Sequence, residues 1–191
     1  MFSDFGSLLL VICLAYGLGS IPFGLILTRL AGAGDIRQFG SGNIGATNVL
    51  RTGNKKLAIA TLVFDAGKGA AAVLFASHFT DAASTALAAI LVVIGHCFPV
   101  WLNFKGGKGV ATSFGFILAL DFQIGLAVSI IWIFIFLLKR ISGLSAIISF
   151  LFLPLITFVI SDSQIFFLVS ILHSIIILLN HHKNIREMLE S

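Results

Sequence analysis

Three polar clusters interrupt an otherwise apolar chain, and each has residue types and spacing suited to handling an anion. The first is Phe39-Gly-Ser-Gly-Asn-Ile-Gly-Ala-Thr-Asn-Val-Leu-Arg51, which sets Ser41, Asn43, Thr47, Asn48 and Arg51 among small residues. Its glycines, Gly40, Gly42 and Gly45, let a backbone bring N–H groups close to a ligand. The second is Gly95-His-Cys-Phe-Pro-Val-Trp-Leu-Asn-Phe-Lys-Gly-Gly-Lys-Gly109-Val-Ala-Thr112. A Gly-Gly-Lys-Gly turn that opens a helix combines N–H groups, the positive end of the helix dipole and ammonium charge, which together describe a phosphate seat. The third is Asp65-Ala-Gly-Lys68-Gly69. Asp65 and Lys68 are spaced i, i+3 and share a helix face. Lys68 falls about 17 Å along its apolar segment, near mid-depth. A charge there must face the protein interior and is a functional candidate, although the same spacing also suits a pair that only ties helices together.

Several familiar chemistries do not fit these residues. Gly40-x-Gly42-x-x-Gly45 has the dinucleotide spacing, with an acid, Asp65, 20 residues further on, but that fingerprint requires a strand before it. Here an apolar span precedes it and Asp65 lies inside another. The lysine-rich turn lacks Gly-Lys-Ser/Thr, so ATP is not indicated. No Ser/His/Asp order, HxxxxD run, metal-ligand cluster or pair of carboxylates occurs in the polar loops. A site rich in cations and poor in bases suits an electrophile that arrives already activated, with positioning and charge stabilisation doing the catalysis. Plainer readings exist for each cluster: a Gly/Asn turn capped by Thr47 or Asn48, Lys105 and Lys108 as membrane anchors, and His96 as a helix-packing residue.

The elements that must position these clusters are membrane spans. Of 191 residues, 58% are hydrophobic and 10% charged, where a soluble domain carries about 25% charged residues. Seven apolar segments are expected: Phe5–Thr28, Leu57–His78, Ala83–Asn103, Val110–Leu120, Phe122–Leu138, Leu144–Ile160 and Gln164–Leu179. The fourth has only eleven residues and reaches about 16 Å, roughly half the hydrocarbon core. The fold expected is thus an all-α integral membrane protein with seven transmembrane helices, one of half length, forming a single domain over 1–191. A five-crossing arrangement, with the fourth and fifth segments merged into a dip, satisfies the same parity. Eleven of the twelve Lys and Arg residues fall in every second connection, while Asp4, Asp81, Asp121 and Asp162 occupy the others. The positive-inside rule then places the N-terminus outside and the C-terminus in the cytoplasm. Net charge is +4, but no basic stripe on a polar scaffold suggests nucleic acid. Cys13 and Cys97 suggest neither a disulfide framework nor a zinc site. In Gly19-Ser-Ile-Pro-Phe-Gly24 a proline sits within the first span, so a kink is expected, with neighbouring polar groups satisfying the freed backbone.

These motifs, in this order, resemble the bacterial acyl-phosphate-dependent glycerol-3-phosphate acyltransferases, from about Gly19 to Arg186. The resemblance implies transfer of a fatty acyl group from acyl phosphate to the 1-hydroxyl of glycerol 3-phosphate, giving lysophosphatidic acid and phosphate. It implies a multi-pass protein of the bacterial inner membrane with its site at the cytoplasmic face. Its partners would be the lipid bilayer and an upstream enzyme that makes acyl phosphate; no cofactor or metal is implied. The family pattern maps onto Ser41, Gly42, Asn43, Gly45, Thr47, Asn48 and Arg51, then onto His96, Lys105, Gly106, Gly107, Lys108 and Gly109, with Asp65 and Lys68 as its intramembrane pair. In the tail, His181 and Asn184 match, while the preceding Arg of the family is Asn180 here. Ser41, His96 and Asn184 are the catalytic candidates that follow. The other loop residues and His181 would hold substrate, with proton acceptance falling to His96 or to a substrate phosphate oxygen. The rival from another class is a small anion transporter, favoured only by Asp65 and Lys68; no internal repeat supports it.

Overall fold

The computed structural model describes residues 5–190, so the expectation that Asp4 marks the outer side lies outside the described residues. All regular elements there are helical: α1 (Phe5–Gly19), α2 (Phe23–Leu30), α3 (Ala46–Leu50), α4 (Lys55–Phe79), α5 (Ala82–Cys97), α6 (Val110–Leu120), α7 (Phe122–Lys139), α8 (Ser142–Ile160), α9 (Gln164–Asn180) and α10 (His182–Leu189). Two 3-10 turns, Ile36–Gln38 and Val100–Leu102, sit in the polar loops. The chain divides into two compact units, one ending at Phe116 and one beginning at Ile117.

In the first unit α1 packs on α5, and α4 packs on α1, α2, α3 and α5. Small residues permit this closeness, because without a Cβ two backbones can approach until carbonyls touch Cα atoms. A Cβ on Gly19 would run into the Val92 carbonyl, and one on Gly95 into Tyr16 and Ser20 of α1 and its exit. Gly69 and Gly115 do the same where α4 meets α6, against Thr112 and Ala66. The interior is correspondingly small-residue packing, with Ala15, Ala72, Val73, Ala88, Ala89, Val92 and Val93 buried. A separate cluster of Leu25, Ile36, Ile44, Val49 and Ala58, flanked by Leu57 and Leu102, lies beneath the first polar loop.

The second unit packs α7 on α8 and α8 on α9, with α10 touching both α8 and α9. Pro154 lies inside α8 and cannot donate to the carbonyl one turn back, that of Phe150. Ser174 on α9 fills the vacancy, its hydroxyl donating to Phe150 O at 2.5 Å. Leucine, isoleucine and phenylalanine side chains on the outer faces of α7 and α8 stay exposed, the surface expected of helices solvated by lipid.

Helix ends follow local chemistry. Asp81, Asp121 and Ser163 cap α5, α7 and α9 by accepting from the N–H groups of Ser84, Ile124 and Phe166. The Ser84 N–H bond holds the Asp81 carboxyl below its ordinary value. The second span begins with Asn54 as its cap, accepting from Leu57 N, so the expectation of Thr47 or Asn48 in that position is corrected. Those two residues belong instead to α3, a helix too short for sequence periodicity to reveal.

Among the described residues four helices are long and apolar enough to cross a bilayer, or six spans if each bent pair is one, and α6 is the shorter eleven-residue helix expected at Val110–Leu120. The kink expected in the first segment is a full break in the helix: α1 stops at Gly19, α2 starts at Phe23, and the two are bent by 43°. The third is helical only to Cys97, after which Pro99 and a turn take over. The last helix turns by 61° into α10 instead of ending in a tail.

Candidate active site

The first polar loop is built around one side chain. Asn48, on α3, is 2% exposed and spends its whole amide on the loop. Its Nδ2 donates to the carbonyls of Ile36, Phe39 and Asn43 at 3.1, 2.8 and 2.8 Å, and its Oδ1 accepts from Ser41 N at 3.0 Å. Gly42 N donates to Phe39 O and Gly45 N to Asn43 Oδ1, both at 2.9 Å. The N–H groups of Ser41, Gly42 and Gly45 are therefore consumed within the loop, which corrects the expectation that they meet substrate. Gly40 and Gly42 serve conformation, at φ 54° and 71°, and a Cβ on Gly40 would collide with Asn48 Oδ1 beside the Arg51 side chain. What the loop presents outward is side chains: Ser41, Thr47 and Arg51 are exposed.

A carboxylate fixes the loop's entry. Asp35 caps the Ile36–Gln38 turn and takes Arg37 through Nε at 2.9 Å and Nη2 at 2.6 Å, and Arg29 through Nη2 at 2.7 Å. The Arg37 guanidinium, with that of Arg29, holds the Asp35 carboxyl far below the ordinary carboxylate range. The sequence reading counted Arg29 and Arg37 only as inside charges; the acid between them was the available signal for this clamp.

The second loop folds back on the helix that delivers it. Gly106 N donates to Cys97 O at 2.9 Å and Gly107 N to His96 O at 3.0 Å, closing the C-terminus of α5. These two N–H groups are also unavailable to a ligand, again correcting the free-donor expectation. Gly107 must lack a side chain, since its Cβ would overlap His96 Nε2. Beyond them lie the first-turn N–H groups of α6, which any helix leaves without intrahelical partners. Gly109, at φ 85°, starts that helix, and Lys108 immediately precedes it. Lys105 is exposed and Lys108 half-buried.

His96, 4% exposed, lies between this loop and α4. One ring nitrogen, Nδ1, stands 3.6 Å from Asp65 Oδ1, and the other is covered by Gly107. Asp65 also pairs with Lys68, Nζ to Oδ1 at 2.9 Å, and both are buried. Lys68 has a further partner that spacing did not suggest: Nζ donates to Ile21 O at 2.7 Å, a carbonyl exposed by the break before Pro22, and lies 5.7 Å from the Phe23 ring centroid. The ion pair thus closes a backbone defect.

His181 and Asn184 belong to the second unit. His181 is buried at the corner between α9 and α10, its Nδ1 2.8 Å from Ile177 O; a carbonyl can only accept, so Nδ1 carries the proton. Asn184 lies against Gly143 at the start of α8, where a Cβ would come within 3.1 Å of its amide.

Comparison with known proteins adds an independent line. A family model described as glycerol-3-phosphate acyltransferase matches residues 9–191. The chain belongs to the glycerol-3-phosphate acyltransferase family. A relative of that name from Mesorhizobium japonicum is 51% identical over 183 residues, 95% of this chain and 92% of its own length. Another, from Gluconobacter oxydans, is 57% identical over 150 residues, 77% of this chain and 71% of its own. Among solved structures, two of PlsY (YgiH), an integral membrane glycerol 3-phosphate acyltransferase, cover 97% of this chain and 93% of theirs. The glycerol 3-phosphate form has a TM-score of 0.91 at 36% identity, and the lysophosphatidic acid form 0.90 at 35%. The protein is an acyltransferase of the membrane, all-helical and multi-pass. For such an enzyme the division of labour between the two loops is informative. One offers a hydroxyl and a guanidinium on a rigid bend, the other ammonium groups at a helix N-terminus. Sequence reasoning missed the groups that hold these loops in place: Asp35, Tyr16 and Trp101.

Proposed function

We propose that this enzyme transfers a fatty acyl group from acyl phosphate to the 1-hydroxyl of glycerol 3-phosphate at the cytoplasmic face of a bacterial inner membrane. The glycerol oxygen attacks the acyl carbon, the bond from that carbon to the bridging phosphate oxygen breaks, and lysophosphatidic acid and inorganic phosphate leave. The observation that carries this reading is that the exposed Ser41–Arg51 loop and the loop bearing Lys105 and Lys108 rest on a common support, Leu102 packing on the apolar cluster beneath the Ser41 loop. Two phosphate-bearing reactants need that much positive charge, and a guanidinium and helix N–H groups suit phosphate oxygens. The glycerol 3-phosphate and lysophosphatidic acid forms of the structural relatives support the same acceptor and product here.

Ser41 and Arg51 orient substrate directly, while Gly42, Asn43, Gly45 and Asn48 shape the bend that presents them. Lys105, Lys108 and the α6 N-terminus beside Gly109 hold phosphate, and Gly106 and Gly107 set their position. Both ring nitrogens of His96 face protein groups, so the proton of the attacking hydroxyl goes to a phosphate oxygen of the substrate, and His96 serves position. Thr47 lies on the exposed side of α3 within reach of the same loop surface. His181, as a substrate-binding residue, and Asn184, as a catalytic one, are the candidates of the second unit, and the chain 1–191 acts as a single acyltransferase domain. Seven crossings, α6 being the half-length one, run from an external N-terminus to a cytoplasmic C-terminus. Acyl phosphate as donor implies an upstream enzyme that makes it.

The test is phosphate release by the purified protein in lipid, given palmitoyl phosphate with and without glycerol 3-phosphate, and acyl-CoA in parallel. Release that needs glycerol 3-phosphate and yields lysophosphatidic acid supports the proposal; equal turnover with acyl-CoA sinks the donor assignment. The transporter reading loses its one support, because the interior ammonium of Lys68 is committed to Asp65 and Ile21.

A further inference from the structure

The break between α1 and α2 lies between the two polar loops and touches both. On one side Gly24, in the first turn of α2, lies under the Ile44 carbonyl of the Ser41 loop, so closely that a Cβ would overlap it. On the other, two side-chain bonds run in opposite directions between α1 and the segment that leads to Lys105. Tyr16 Oη donates to Phe98 O at 2.8 Å, and Trp101 Nε1 donates to Ser20 O at 2.8 Å. The partners are 82 and 81 residues apart in sequence. Just after these anchors the backbone is forced: Asn103 and Phe104 are consecutive non-glycine residues at φ 51° and 60°. Such conformations persist only where the surroundings over-determine them, and they concentrate where geometry serves function. Phe104 N is returned to Pro99 O at 3.0 Å and Lys105 N to Leu102 O at 3.1 Å, so the turn carries its orientation directly into the lysine.

We propose that Tyr16 and Trp101 are positioning residues for the reaction, a reciprocal clamp that fixes the Lys105–Lys108 loop to the helix break from which the Ser41 loop is also supported. This rests on the reading of the lysine loop as a phosphate seat. Trp101 is largely exposed, as an interfacial aromatic anchor is, and an anchor needs only its ring. The clamp needs the indole N–H and the phenol O–H. Trp101→Phe and Tyr16→Phe remove those donors and keep the apolar bodies, so the two roles separate.

The experiment measures KM and kcat for glycerol 3-phosphate and for palmitoyl phosphate in wild type, Tyr16→Phe, Trp101→Phe, the double variant and Lys108→Ala, each in lipid and each with its unfolding midpoint. Each single variant is expected to raise KM for a phosphate substrate about five- to tenfold, the effect of one lost hydrogen bond, with kcat within about twofold. The double variant is expected to raise it by less than the product of the two, because both act on one loop. Unchanged KM, with activity tracking only the folded fraction, overturns the clamp and leaves Trp101 a lipid anchor. If Trp101→Phe does not fold, Tyr16→Phe decides alone. If Lys108→Ala raises KM and the clamp variants do not, the clamp falls and the phosphate seat stands. If Lys108→Ala leaves KM unmoved, the seat falls and takes the clamp with it.

Discussion

Each unit of this protein contains a proline that breaks or interrupts a membrane helix, and the two are repaired with different chemistry. In the second unit Pro154 strips one hydrogen bond from Phe150 O, and a single hydroxyl, that of Ser174, replaces it. In the first unit the chain stops before Pro22 and restarts at Phe23, leaving Ser20 and Ile21 with carbonyls that helix geometry no longer serves. There the repair is an indole from Trp101 and a buried ammonium from Lys68, itself neutralised by Asp65. A hydroxyl is the cheapest repair in lipid. A buried ion pair costs desolvation of both ions and is stable only while each partner is present. The difference follows what surrounds each break: the Pro154 repair joins two neighbouring helices, while the Pro22 repair also lies beside His96 and two polar loops. Charge makes the second repair less forgiving and more directional.

That comparison is open to measurement. The largest effect is expected from Lys68→Met, which leaves Asp65 buried without its cation and takes from Ile21 O its ammonium donor: a loss of about 3 kcal/mol or more, read from the unfolding midpoint in detergent. Lys68→Met/Asp65→Asn should recover part of it, and equal instability of both variants would mean that the charge is not what matters. Ser41→Ala follows, with turnover reduced by at least about tenfold and stability unchanged; near-normal kcat would remove Ser41 from the mechanism. Ser174→Ala should be milder, costing about 0.6 kcal/mol and at most about 1.7 kcal/mol, with normal turnover. A loss as large as that of Lys68→Met would erase the contrast between the two repairs. The smallest effect is that of pH on the Asp35 clamp. The Asp35 carboxyl is held below its unfolded value, so its contribution is present above the ordinary carboxylate range and is lost only as pH falls through the lower folded value. The midpoint difference between wild type and Asp35→Asn should therefore be flat from pH 8 to about 5 and shrink only in stronger acid. A difference that fades near neutrality would mean that the two arginines do not hold the carboxylate.

Much of the fold was legible because apolar length and charge placement are local properties. The half-length helix at Val110–Leu120 and the kink at Pro22 both follow from residues next to one another. The two polar loops were legible as well, since Gly, Asn and Lys cannot be left facing lipid and their motifs resemble a known enzyme family. Less legible was α3, whose five residues are too few to show a period. The bend into α10 was hidden because His181-His-Lys reads equally as a helix end or a tail.

The sequence by itself determined that this is a multi-pass membrane protein with glycine- and lysine-rich polar loops whose motifs resemble a known enzyme family, because hydropathy, charge and motif are written residue by residue. Only the tertiary structure decided which groups those loops still have to offer. The N–H groups of Ser41, Gly42, Gly45, Gly106 and Gly107 are all spent inside the protein. Lys68, whose i, i+3 neighbour was plain, is also bound to a carbonyl 47 residues away. Spacing along one helix names the neighbours that helix geometry provides. A buried hydrogen-bonding group takes whichever partner packing brings to it, and that partner is set by the approach of distant segments.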